Sequence, residues 1–252
     1  MYDKSSFLTH GGSVARTHSP ANSFAIALPA AYASAMANPV TVQIDIFSDV
    51  ICPWCFIGKK RLEMAAEMHG GVTLAINWRA FLLNPGMRPE GMDRKAYTEA
   101  KFGAAATSFY DRIAQVGEEI GIPFAFDKIT RTPDSRPAHG LVLSAGEAAD
   151  SVVEDLFEAY FLNGIDIGNP DTLADIARRY DLAFPANELT ARQIENDLKD
   201  AGRIGVSGVP FFIFEQEWAI SGAHPPESFL PLFDAVVTRQ MNAEDQPDQS
   251  SH

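Results

Sequence analysis

The two cysteines of this chain stand three positions apart, as Cys52-Pro53-Trp54-Cys55, between an alternating apolar run and a helical one. Val40, Val42, Ile44 and Ile46 alternate with polar residues, the period-two pattern of a strand, and most of them are β-branched. Pro53 falls where a helix begins, and Phe56, Ile57, Leu62 and Met64 follow until Gly70-Gly71 ends the segment. Val72 to Phe81 reads as a second strand, with Val72, Leu74, Ile76 and Trp78 on one face. Strand, helix, strand predicts a βαβ unit, with Cys52 at the carboxyl end of its first strand and capping the helix.

This placement carries chemistry. Cys52 is expected to be exposed at the helix N-terminus and Cys55 one turn further in and more covered, so the two sulfurs are within reach of a reversible bond. Unpaired backbone N–H groups and the positive end of the helix dipole favour a thiolate at such a position, which makes Cys52 the candidate nucleophile. Cys55 then resolves the mixed disulfide that Cys52 forms with a substrate. A structural staple does not suit a pair so close in sequence, because it closes almost no loop in the unfolded chain. A zinc site wants four ligands, and the six histidines are scattered, so no metal is expected.

From Asn84 to about Arg203 the pattern is helical, broken by Gly and Pro. The expected helices are Tyr97 to Ile120, Ala138 to Ala149, Val152 to Leu162, Leu173 to Tyr180 and Thr190 to Arg203. Phe211 to Phe214 and Trp218 to Ser221 are strands too close together for a crossover, hence antiparallel. A helix from about Pro226 to Gln240 follows. The expected division is 1–38 a leader or disordered extension, 39–83 and 204–241 the two parts of one fold, 84–203 an insertion, and 242–252 a disordered polar tail.

A formal charge of -13 argues against nucleic acid and against anionic membrane as partners, since both repel such a surface. No apolar run approaches the roughly 20 residues needed to cross a bilayer. Phe24 to Ala37 is apolar and ends in Ala35-Met36-Ala37, the small-residue form of a signal-peptidase site. Only Lys4 and Arg16 precede it as bases, Pro29 interrupts it, and Met36 is itself a candidate start. The expected compartment is therefore the cytoplasm, with export the alternative.

Four blocks, in order, resemble a known family. They are Ser48-Asp49-Val50-Ile51-Cys52-Pro53-Trp54-Cys55-Phe56-Ile57-Gly58, Phe81-Leu82-Leu83-Asn84-Pro85, Gly205-Val206-Ser207-Gly208-Val209-Pro210-Phe211-Phe212, and Ser221-Gly222-Ala223. Over about residues 40 to 240 the chain is similar to DsbA-like oxidoreductases of the FrnE type, which are related to 2-hydroxychromene-2-carboxylate isomerases. The resemblance implies an α/β thioredoxin-like fold with an inserted all-helical domain. It also implies a cis Val209-Pro210 peptide packed against the CxxC helix, whose backbone pairs with a substrate segment beside Cys52. Read from the residues alone, Pro210 is only a strand start. The sequence departs from the family's usual pattern at His224, at Asp134-Ser135 and at Gly140 after Ala138-His139.

The site expected is Cys52 and Cys55 as catalytic residues, supported by Pro53, Trp54, Val209 and Pro210. The substrates are protein or small-molecule thiols and disulfides, no cofactor is held, glutathione is a candidate redox partner, and a homodimer is a candidate assembly. Trp54 offers no charge to the thiolate, so the pair is expected to be less oxidising than the strongest oxidants of its kind. His139 reads as a satisfied core or rim histidine, His224 as a solvated turn residue, and the stripe Phe102, Phe109, Ile113 and Val116 as core. Two rivals remain: a glutathione-dependent isomerase or kappa-type transferase, and a redox-inactive chaperone that holds peptides in an apolar groove.

Overall fold

The computed structural model describes residues 38–185 and 187–244. The apolar run Phe24 to Ala37 and the end of the tail lie outside them. Val40–Ser48 forms β1, Pro53–His69 forms α1, and Val72–Ala80 forms β2. β1 and β2 pair in parallel over their whole length, from Val40 opposite Val72 to Ser48 opposite Ala80. Pro53 starts α1 because the missing N–H would have had no helical partner there. Gly70 stops it in the left-handed conformation, at φ 71°, and its N–H bonds back to the Ala66 carbonyl.

The insertion contains α2 (Arg94–Phe102), α3 (Ala106–Glu119), α4 (Arg136–Ser144), α5 (Ala149–Phe157), α6 (Pro170–Arg179) and α7 (Glu188–Ile204). The single helix expected over Tyr97 to Ile120 is two, because Gly103 at φ 54° breaks it. α5 runs into a π-helical turn, Glu158–Leu162. Two short strands, β3 (Met92–Asp93) and β4 (Arg131–Thr132), tie the two ends of the α2–α3 region together as an antiparallel ribbon. β5 (Phe211–Phe214) and β6 (Trp218–Ser221) then complete a four-stranded sheet of order β2-β1-β5-β6, with β5 antiparallel to both neighbours. The last helix, α8, is Leu230–Glu244. It runs past Gln240 into the segment expected to be disordered, because Met241 still packs against the core.

The two faces of the sheet are covered unequally. Val42, Ile44, Ile46 and Trp78 pack against α1, α8 and the aromatic residues of α5 in the main core, where Phe56 stacks on Phe157 at 5.0 Å. Behind the sheet, Phe47 meets Ala201 and Val206 in a smaller cluster under α7. α7 is fixed there by charge: Arg79 Nε donates to Asp197 Oδ1 at 2.6 Å, and the Ala80 N–H donates to Asp197 Oδ2 at 2.9 Å. On the main face, Lys59 of α1 is buried and bonds Glu63, Asp150 at 3.3 Å and Glu154 at 2.8 Å, joining α1 to α5.

Candidate functional site

The loop between β1 and α1 is built by Asp49. Its buried carboxylate accepts from the Ile51 N–H at 3.3 Å and from the Leu83 N–H at 2.8 Å, while its carbonyl accepts from the Cys52 N–H at 2.9 Å. A turn held at so many points leaves Cys52 at the N-cap of α1, in an extended conformation (φ -98°, ψ 112°), with Pro53 as the first helical residue. The Cys52 carbonyl accepts from the Cys55 N–H at 3.0 Å, so Cys55 sits one turn in on the same side.

Both thiols are free, and both residues are buried, Cys52 at 4% exposure and Cys55 at 1%. The expected exposure of Cys52 is thus corrected: it is buried, and it shares the lining of one cavity with residues of the insertion. Burial pushes the Cys55 thiol well above its ordinary pKa, and the hydrogen bond and charge of Cys52 push it further. The Ser48 hydroxyl and the backbone N–H of Asp49 oppose this.

Opposite the cysteines lies the segment before β5. The Val209–Pro210 peptide is cis. The Cys52 thiol donates to the Val209 carbonyl at 3.7 Å, and the Pro210 carbonyl accepts from the Gly222 N–H at 2.8 Å. The loop comes this close because residue 58, which faces Pro210 from the second turn of α1, is glycine. Arg61 Nη1 donates to the Ala223 carbonyl at 2.6 Å, which binds the Ser221-Gly222-Ala223 block to the same helix.

The six residues expected at the site fall in two neighbouring segments, the start of α1 and the cis Val209–Pro210 peptide, which meet at the bond from the Cys52 thiol to the Val209 carbonyl. Cys52, Pro53, Trp54 and Val209 line a cavity of about 220 Å³. Its far wall comes from the insertion: Arg94, Tyr97, Lys101, Phe102, Phe109 and Tyr110. Half of the apolar stripe expected to be core is therefore cavity wall, while Ile113 is fully buried. Arg94 lies over the ring of Tyr110 at 4.8 Å, and Lys101 Nζ donates to the Tyr97 hydroxyl at 2.7 Å. Among the described residues neither cation has a carboxylate partner: the polar side-chain contacts are Thr132 and Tyr110 for Arg94, and Asn84 and Tyr97 for Lys101. Burial raises the Tyr110 pKa, against the influence of Arg94.

The sequence predicts a satisfied core or rim histidine at His139 and a solvated one at His224. His224 is exposed, with its Nε2 2.9 Å from the Ser221 carbonyl. His139 is buried but not satisfied: its Nε2 stands 3.4 Å from Asp49 Oδ1 without hydrogen-bond geometry.

With this geometry established, comparison with known proteins fixes the family. Among curated proteins, YwbO of Bacillus subtilis, itself uncharacterised, is 26% identical over 145 residues, covering 57% of this chain and 68% of that protein. A probable DsbA oxidoreductase of Streptomyces coelicolor superposes with a TM-score of 0.68 at 23% identity, covering 83% of this chain and 94% of that one. The cytosolic disulfide reductase DsbM of Pseudomonas aeruginosa, solved with GSH, superposes with a TM-score of 0.54 at 17% identity, covering 81% of this chain and all (100%) of that one. The model of the DSBA-like thioredoxin domain matches residues 43–234, and the chain belongs to that family.

Proposed function

We propose that this protein is a thiol-disulfide oxidoreductase that exchanges disulfides through Cys52 and Cys55. The carrying observation is the Cys52 sulfur at the N-terminus of α1, beside the Val209 carbonyl and open to a cavity, with Cys55 one turn behind it. The helix N-terminus favours the thiolate of Cys52 in attack on a substrate disulfide, and Cys55 displaces the substrate in a second exchange. Direction follows the potential of the pair against that of its surroundings.

The cavity supports a small substrate or one extended segment. Arg94 and Lys101 favour negative charge beside the sulfur, so glutathione and its disulfide are the small-molecule partners we propose. The compartment we propose is the cytoplasm. Among the described residues no helix is long and apolar enough to cross a membrane.

The test compares insulin reduction with glutathione conjugation in the native protein, Cys52→Ser and Cys55→Ala. Exchange predicts that Cys52→Ser abolishes insulin reduction and that Cys55→Ala accumulates mixed disulfides visible by mass spectrometry. Conjugation that survives in Cys52→Ser would instead favour a glutathione-dependent transferase or isomerase. Biological activity left whole by Cys52→Ala would favour a peptide-holding chaperone.

A further inference from the structure

Two tyrosines of the insertion line the same cavity as Cys52, and their hydroxyls are engaged differently. Tyr97 donates its proton to Asn84 Oδ1 at 3.1 Å and accepts from Lys101 Nζ at 2.7 Å, so its hydroxyl is used on both sides. Tyr110 accepts from the Arg94 guanidinium, and among the described residues no side chain or carbonyl accepts its proton. Its ring is half-buried and fixed by Phe102, Phe109 and Phe126, at 5.8, 5.2 and 4.9 Å between centroids. A guanidinium has donors only, so the phenol proton cannot be spent on Arg94. The aromatic neighbours offer it no oxygen or nitrogen, which leaves the cavity.

Thiol–disulfide exchange moves charge across that cavity. A thiolate attacks one sulfur of a disulfide from the side opposite its partner, so the incoming, central and outgoing sulfurs lie nearly in a row. With Cys52 on one wall, the outgoing sulfur is carried toward the other, which the insertion supplies. A thiolate forming among Trp54, Phe102 and Phe109 has little water to solvate it, and a donor already in place there is worth more than one in bulk solvent. Burial raises the Tyr110 pKa against the influence of Arg94, and the charge of Cys52 adds to the rise. The phenol therefore keeps its proton at neutral pH and stays a donor.

We propose that the Tyr110 hydroxyl is a catalytic donor that holds the leaving sulfur of the substrate disulfide by a hydrogen bond. This rests on the exchange reading above. In the step served, the Cys52 thiolate bonds to one substrate sulfur, the substrate S–S bond breaks, and the other sulfur leaves with the electron pair. Cys52 is oxidised to the mixed disulfide and the leaving half is reduced to a thiolate. Tyr110 keeps its proton throughout, and the thiolate takes one from solvent once it has left. In the reverse direction the same hydroxyl holds an incoming thiolate beside the mixed disulfide. The benefit scales with the charge that the leaving sulfur carries. An alkyl thiolate concentrates charge on sulfur and gains most, whereas a pyridine-4-thiolate passes it to the ring nitrogen and gains little.

The test uses the full chain with Cys55→Ala, in which only the first exchange occurs, with and without Tyr110→Phe. Each protein is mixed with excess hydroxyethyl disulfide or 4,4′-dipyridyl disulfide, both uncharged, and the mixed disulfide on Cys52 is followed by quenched-flow mass spectrometry. Tyr110→Phe keeps the ring and its packing. It should slow the reaction with hydroxyethyl disulfide about tenfold, the lower end for a hydrogen bond to a charged group, and that with 4,4′-dipyridyl disulfide by less than about twofold. A loss of folded protein would slow both alike and cannot imitate that split. Alkylation of Cys52 by iodoacetamide, in which iodide leaves and no thiolate forms, should agree between the two proteins within about twofold. Equal slowing with both disulfides, slowing with neither, or a slower alkylation overturns the role of Tyr110. If the Cys55→Ala chain without the second substitution forms no mixed disulfide with either reagent, the exchange reading fails and this one falls with it.

Discussion

Gly58 and Pro210 touch so closely that a Cβ at position 58 would lie 2.7 Å from the proline Cγ and 3.1 Å from the Phe212 ring. Helix α1 and the loop before β5 are therefore fitted to each other at the level of one methyl group. Gly58→Ala is expected to push the Val209 carbonyl away from Cys52 and to lower stability by about 1–3 kcal/mol, as overpacking does, despite alanine's better helix propensity. A lower urea midpoint with an unchanged slope, together with slower insulin reduction, would show it.

Of the two residues between the cysteines, Trp54 is the one expected to tune the pair. Trp54 is uncharged, and Trp54→His places a chargeable ring beside the Cys52 thiolate. Stabilising the reduced form makes the pair more oxidising, by about 30 mV for each tenfold change in equilibrium constant. Redox titration against glutathione is expected to show a shift of at least that size, and a shift in the opposite direction would contradict this account of Trp54.

Arg94 and Lys101 should act on charged substrates alone. Arg94→Gln and Lys101→Gln are each expected to raise KM for glutathione disulfide by about five- to tenfold, the worth of a charge-assisted contact of about 1–1.4 kcal/mol. The KM for a neutral disulfide such as hydroxyethyl disulfide should hardly change, and the difference should shrink as salt is added.

Lys59 should tie stability to alkaline pH. Burial by itself would lower its pKa, but Asp150, Glu154 and Glu63 outweigh that and hold the folded value above the ordinary one. A raised folded value means that the ion-pair contribution is complete below the unfolded lysine pKa of about 10.4 and fades as pH climbs through the folded value. Unfolding free energy should thus show no loss from this group at neutral pH and a decline only in strong alkali. Lys59→Met should remove the decline and cost about 1–3 kcal/mol at pH 7, less than a fully buried pair because the carboxylates are partly solvated.

The βαβ opening and its cysteines were legible in the sequence because the signals are local: alternation in Val40 to Ile46, Pro53 at a helix start and glycines at its end. The β5–β6 hairpin was legible for the same reason. The break at Gly103 was not, since the apolar stripe continues across it and only the backbone conformation changes. The β3–β4 ribbon has two residues per strand, too few for any period. Arg94, Tyr97 and Tyr110 reach Cys52 only through the packing of the insertion. Asp49 and His139 are 90 positions apart, and nothing in the spacing of either announces the other.

Among the described helices, α2 is notable for having no buried residue. It is held by the Asp93 cap to the Ala96 N–H, by the Arg94 N–H to the Thr130 carbonyl, by the stack of Phe102 on Phe109, and by contacts of Arg94, Tyr97 and Lys101 that are themselves part of the cavity wall. Segments that bury no side chain open at less than the global unfolding free energy. The aperture over the sulfur is thus bounded on one side by the CxxC loop and on the other by a helix that buries none of its residues, so the size of admissible substrate is expected to follow how far α2 can give way.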